Sequence, residues 1–183
     1  MRKIPVYPTS RQKIWAYVRN IRCKLGIERA LYFDIIHFVE IIMPNIFPEF
    51  ILEICPTDEL YPLHGETIPS ENKIRIREDV YIGACNGKGR DRLTIAHEIG
   101  HFLMHDEKSI SFCKIDSDGN IPVYRDPDWQ ADVFAGELLA PAYLIEGMSV
   151  ADVSTSCAVS TSCANKQLYS IESEKRKGYS IIP

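Results

Sequence analysis

The chain has 183 residues, 45% of them hydrophobic and 25% charged, and a net charge of −4. That length is one ordinary domain's worth and enough to bury a core, while the acidic balance excludes any general attraction to nucleic acid or to anionic membranes. The first ten residues, MRKIPVYPTS, lack an apolar stretch of the signal-peptide kind, and the longest apolar run, 35–43, is broken by His37 and Glu40 far short of the ~20 residues that span a bilayer. A cytoplasmic protein is expected. Its six cysteines (Cys23, Cys55, Cys85, Cys113, Cys157, Cys163) form no C-x-x-C pair and are expected to stay reduced and buried.

In chain order, Thr9 and Ser10 offer N-caps for a helix to about Leu25, along which Ile14, Val18, Ile21 and Leu25 recur at helical spacing, and Gly26 can close it. Arg11, Lys13, Arg19, Arg22 and Lys24 make this segment basic, which reads as a solvated outer face rather than a binding patch. Residues 31–43 predict a second helix, apolar on most sides and stopped by Pro44, with His37 a satisfied histidine rather than a ligand. A short apolar stretch, 50–54, precedes a bend through Pro56 and Pro62. Residues 73–77, KIRIR, alternate strictly and predict a half-buried strand; 80–84 is a further strand candidate, and 86–89, NGKG, a loop. Residues 111–115 are expected to pair with 121–124 across the turn at 116–120, which lacks the spacing and closing Glu of a calcium loop. Asp126 as cap and Pro127 at the first helical position open a helix that stops at Pro141. Two closing helices, 151–158 and 161–177, follow around Val159-Ser160, the last with Lys175, Arg176 and Lys177 at its end. Nothing divides the chain: a single domain is expected, with N-terminal helices at 9–43, a sheet and catalytic core at 49–141 and a helical pair at 142–183.

The segment RDRLTIAHEIGHFLMH, 90–105, contains His97-Glu98-x-x-His101. No proline interrupts it, Asp91 can cap it, and Leu93, Ala96, Gly100 and Leu103 form an apolar stripe. On a helix, positions i and i+4 lie on one face, so two imidazoles can hold one zinc ion while the neighbouring carboxylate takes a proton from water. Gly100 costs helix stability by roughly 1 kcal/mol relative to Ala, which implies that something packs close against it.

A catalytic zinc has three protein ligands. His105 continues the i+4 series but lies about 12 Å along the axis from His97, too far to share the ion, and is expected at the helix end or on the cleft wall. The helix at 127–140 offers more. Ala131, Phe134, Ala135 and Leu138 define its buried stripe, and Asp128 and Asp132 extend that side, whereas Glu137 faces away. Asp128 is therefore the expected third ligand. Asp132, one turn on, is placed to accept a hydrogen bond from a ligating imidazole.

RDRLTIAHEIGHFLMH followed by DWQADVFAGELLAP resembles the ImmA/IrrE family of bacterial and phage zinc metallopeptidases, over residues 74–141, with the tail STSCAVSTSCANKQL similar more loosely. The resemblance implies an α+β, zincin-like fold: a small mixed sheet, an active-site helix and flanking helices. It implies His97 and His101 as zinc ligands and Glu98 as the catalytic carboxylate. It also implies a protein substrate, a helix-turn-helix repressor encoded separately. Relatives carry glutamate where this chain has Asp128, one methylene shorter, so the helix must lie about 1.5 Å closer or hold the zinc less well.

Tyr124 and His105 are candidates to help stabilise the oxyanion, and strand 73–77 is expected as an edge that receives an extended peptide. Two other classes stay open. The tail around 158–160 has a helix-turn-helix flavour, opposed by the acidic balance and the lack of a dense basic helix, and the short Asp128 arm leaves room for a family member that binds a partner without cutting it.

Overall fold

The computed structural model describes residues 5–105 and 121–181. Ser10 caps α1 (Arg11–Lys24) through its side chain, and Gly26 follows the helix at φ +70°, as the sequence predicts. The second helix departs from expectation at both ends. It starts at Ile35, where the Asp34 side chain accepts from His37 N, and runs through α2 (Ile35–His37), a π turn (Phe38–Ile42) and α3 (Met43–Ile46), past Pro44. Proline lacks an N–H, and its ring collides with the carbonyl four residues back. Widening the turn, with Met43 N bonded to Phe38 O, lets the chain pass Pro44 without that collision.

Three strands follow: β1 (Ile51–Cys55), β2 (Gly65–Ile68) and β3 (Lys73–Arg77), with the short helix α4 (Thr57–Leu60) between the first two. Their order is β1-β3-β2, with β1 parallel and β2 antiparallel to β3. KIRIR is thus a strand over the predicted residues, but it is the central one, so the expectation of a peptide-receiving edge there is wrong. Both of its backbone edges are already paired. Ile74 and Ile76 are fully buried on one face, and on the other Arg75 bridges Glu53 of β1 (3.1 Å) and Glu66 of β2 (2.7 Å), binding both neighbours to it. Among the described residues the unpaired edges are β1 and β2, and β2 is the one against the motif helix.

Residues 80–84, expected as a strand, instead lie in α5 (Glu78–Cys85). Val80 and Ala84 are buried one helical turn apart, and Glu78 and Asp79 sit in the first turn, where acids favour a helix. After α6 (Gly89–Met104), the expected 111–115 strand and the 116–120 turn lie outside the described residues; the described end of that hairpin, at 123–125, is a 3-10 turn. Then come α7 (Pro127–Leu139), α8 (Ala142–Ile145), α9 (Val150–Ser156) and α10 (Thr161–Arg176). No described helix is long and apolar enough to cross a membrane. Of the described cysteines, Cys55, Cys157 and Cys163 are buried, but Cys23 and Cys85 are exposed.

The core lies where α6 meets the sheet on one side and α7 and α1 on the other, with Ile95, Ala96, Ile99, Phe134, Leu138, Val18, Ile74 and Ile76 buried together. Two arginines are embedded in it. Arg22, expected on a solvated face, is 0% exposed and donates to the carbonyls of Leu138 (2.7 Å), Ile27 (3.4 Å) and Ala30. Arg92 of α6 donates to Ala158 O (3.0 Å), Phe33 O (2.8 Å) and the Tyr32 hydroxyl (3.1 Å). The turn at 158–160 is thereby held against α6. Its backbone passes so near the start of that helix that a Cβ on Gly89 would lie 2.4 Å from Ser160 N and from Val159 C.

That contact makes Gly89→Ala an overpacking change against backbone rather than a gain in helix propensity. A loss of about 1–3 kcal/mol is expected, read as a lower urea midpoint; an unchanged or higher midpoint would refute the contact.

Candidate metal centre

α6 presents two faces. Arg92, Ile95, Ala96, Ile99 and Gly100 turn into the core, a stripe shifted from the predicted one, in which Leu93 and Leu103 are only half-buried. Asp91 does not cap the helix: Lys88 holds the N-cap position without a side-chain bond, and Asp91 sits inside the first turn. The apolar residues that do anchor the helix leave His97, Glu98 and His101 toward α7 and β2.

Gly100 is explained by the backbone of α7. A Cβ there would meet Phe134 Cδ1 at 3.1 Å, Ala131 Cα at 3.2 Å and Ala131 O at 3.3 Å. α7 begins as predicted, with the Asp126 side chain accepting from Asp128 N (3.0 Å) and Pro127 in the first turn. Asp128 and Asp132 therefore stand one turn apart beside the histidine pair.

The structure brings His97, His101 and Asp128 together, with one nitrogen or oxygen of each inside a sphere of mutual distances no greater than 4.8 Å. His97 Nε2 lies 3.0 Å from His101 Nε2, and His101 Nε2 lies 3.5 Å from Asp128 Oδ1. Donors bound tetrahedrally at 2.0–2.1 Å stand about 3.3 Å apart, so these separations suit a zinc-sized ion. The donor set, two imidazoles and a carboxylate, also suits zinc, and each imidazole is held from behind through its other nitrogen. His97 Nδ1 is 3.0 Å from Asp132 Oδ1, and Lys166 of α10 donates to Asp132 Oδ2 at 2.7 Å. His101 Nδ1 is 3.0 Å from His105 Nδ1.

The electrostatics follow the burial. Burial, with His97 and His105 adding to it, lowers the His101 pKa to about 4, so this ring is neutral at pH 7 and its electron pair is available. Burial also works against protonating His97, but the bond to Asp132 and the charges of Glu98, Asp132 and Asp128 outweigh it and raise its pKa. For Asp132 burial opposes ionisation, while His97 and Lys166 prevail and hold the carboxyl at about 2. Glu98, 7% exposed, has its pKa raised, first by burial and then by Asp128 and Glu66.

Other residues near the site were silent in the sequence. Thr67 Oγ1 of β2 lies 2.8 Å from Glu98 Oε2 and 3.0 Å from Glu98 O, clasping the carboxyl to the strand. Gly65 makes room for it, since a Cβ there would fall 2.9 Å from Glu98 Cγ. Neither residue belongs to a spacing pattern with 97–101; strand pairing alone delivers them. His105 does not line a cleft. It is 8% exposed, packed behind His101, with Nε2 3.0 Å from Gln130 Oε1. Tyr124 lies in the 3-10 turn at 123–125 with its ring exposed, and its carbonyl, rather than its hydroxyl, is bonded to Gln130. Neither position supports the expected oxyanion role. A second cluster, Glu53, Cys55 and Glu59, is also compact, but the Arg75 guanidinium already neutralises its carboxylates.

If Asp132 orients His97, Asp132→Ala should weaken zinc binding by about 10- to 100-fold without unfolding the chain. Competition against a chromophoric chelator measures this, and an unchanged affinity would remove Asp132 from the site.

No curated protein matches this chain. The family model described as the IrrE N-terminal-like domain, Peptidase_M78, matches residues 57–151, which run from α4 into α9 and carry all of the residues that surround the histidine pair except Lys166. A metallopeptidase-type function, and with it a metal cofactor, is what that family suggests. Matched over more than half of its length, and through the helices that bear His97, His101 and Asp128, the chain belongs to the ImmA/IrrE family.

Proposed function

We propose that this chain is a zinc-dependent metallo-endopeptidase with a zincin-like fold, acting in the cytoplasm on a helix-turn-helix repressor. The observation that carries the reading is the convergence of His97 Nε2, His101 Nε2 and Asp128 Oδ1 beside a buried carboxyl, Glu98. Zinc held by the three would polarise a water molecule and the scissile carbonyl. Glu98 takes the water's proton at its carboxylate and later returns it to the leaving amine. Its raised pKa makes it the stronger base for taking that proton. Thr67 holds one carboxylate oxygen and so fixes the direction from which the proton is taken. An extended substrate would pair along β2, whose outer edge is unpaired among the described residues and which lies against α6, rather than along β3. The repressor as substrate rests on the family resemblance and on nothing within the site.

A second reading, a partner-binding member without peptidase activity, is favoured by the exposed, short Asp128 where relatives carry glutamate. The two readings part on one experiment. Glu98→Gln should abolish cleavage of a helix-turn-helix repressor while one zinc per chain is retained, and chelation of the unmodified protein should abolish cleavage until zinc is restored. Cleavage by the Glu98→Gln chain would overturn the role of Glu98. Absence of cleavage by unmodified, zinc-loaded protein across several repressors and denatured casein would favour the binding protein.

A further inference from the structure

The proton on His101 is dictated by atoms three side chains away. Gln130 is 3% exposed, and its Nε2 lies 2.9 Å from Tyr7 O and 2.9 Å from Tyr124 O. Carbonyl oxygens only accept, so the amide cannot be turned round: that would set an oxygen against two oxygens. Both amide protons are thus spent on the backbone, and Gln130 Oε1 is left as an acceptor. The group facing it, His105 Nε2 at 3.0 Å, must donate. A buried imidazole in contact with a carboxamide and another imidazole carries a single proton, so His105 Nδ1 is bare. It lies 3.0 Å from His101 Nδ1, which must then donate in its turn. The His101 proton is therefore on Nδ1, and its electron pair is on Nε2.

The Nδ1 proton of the other histidine is fixed by a shorter route. Asp132, ionised, only accepts, so His97 Nδ1 carries a proton. The two Nε2 atoms face each other at 3.0 Å beside the Asp128 carboxylate.

We propose that His105 and Gln130 are positioning residues that lock His101 in its Nδ1–H tautomer with Nε2 toward His97 and Asp128, and that the lock is anchored on the carbonyls of Tyr7 and Tyr124. The proposal rests on the metal-centre reading for its purpose, but not for its geometry. It ties the site to residues 5–9, which precede the segment matched by the family model: Tyr7 O takes one amide proton, and Thr9 N donates to the same Tyr124 carbonyl that takes the other.

The test reads the tautomer in zinc-free, full-length protein by two-bond 1H–15N correlation on histidine-labelled chains, and zinc affinity separately by chelator competition. The unmodified chain should show Nδ1–H for both His97 and His101. His105→Leu should let His101 populate the Nε2–H form while His97 stays unchanged, and should weaken zinc binding by about 10- to 100-fold. His105→Asn, whose side-chain oxygen can accept from His101 Nδ1, should restore both readings; a residue that merely filled space would not be rescued by so small a polar side chain. Gln130→Leu keeps His105 but frees its proton, and should also mix the His101 tautomers. An Nε2–H His101 in the unmodified chain overturns the relay, as does an unaltered tautomer in both the folded His105→Leu and Gln130→Leu variants. If the tautomers behave as expected yet zinc does not bind, the relay stands and the metallopeptidase reading falls.

Discussion

The close approach of α6 and α7 at Gly100 and Ala131 is the constraint on which the rest of the molecule turns. The backbone of Gly100 meets the backbone of Ala131 there, with the edge of the Phe134 ring beside them. Phe134, Ala135 and Leu138 continue the contact into the core and make it costly to open. Because α7 is held this close, an aspartate in its first turn comes within 3.5 Å of His101 Nε2, although its arm is a methylene shorter than the glutamate usual in the family. The short acid and the small residues opposite it are two halves of one geometric arrangement.

A second regularity is the use of buried N–H groups to fasten loops. Arg22, Arg92 and Gln130 all lie in the interior and all donate to backbone carbonyls outside regular strands: those of Ile27 and Ala30, of Phe33 and Ala158, and of Tyr7 and Tyr124. Leaving such a donor unpaired costs about 1–3 kcal/mol, so each contact holds its loop in place as firmly as a packed side chain would. One of the three sits beside the site: Gln130, two residues from Asp128 and bonded to His105. The polar interior is therefore continuous with the centre it supports. Around the histidine pair the neighbouring donors are committed, Gln130 to two carbonyls and Lys166 to Asp132.

Much of this was legible residue by residue where the cause is local. Ser10, Gly26, Asp126 and Pro127 mark helix ends through bonds and dihedrals that involve only neighbours in sequence, and α1 and α7 begin and end within a residue or two of those marks. KIRIR announces a strand by alternation. Elsewhere local reasoning failed for identifiable reasons. Val80 to Ala84 is rich in β-branched and apolar residues but is buried at helical period. Pro44 reads as a stop until the preceding turn widens to accommodate it. Arg22 reads as surface charge until its carbonyl partners are known.

For the site the division is similar. The spacing of His97 and His101 by one helical turn, the carboxylate beside the first, and Asp128 and Asp132 one turn apart on a capped helix are properties of short segments, and the sequence alone determined them. What only the tertiary structure decided is which atoms face which. It made KIRIR the central strand rather than an edge. It brought Thr67 onto Glu98 and Lys166 onto Asp132, and turned His105 from a candidate cleft residue into the support of His101. Those contacts join residues from four to more than thirty positions apart, and the direction of each hydrogen bond depends on partners that packing alone assembles. No periodicity along the chain encodes where a proton resides.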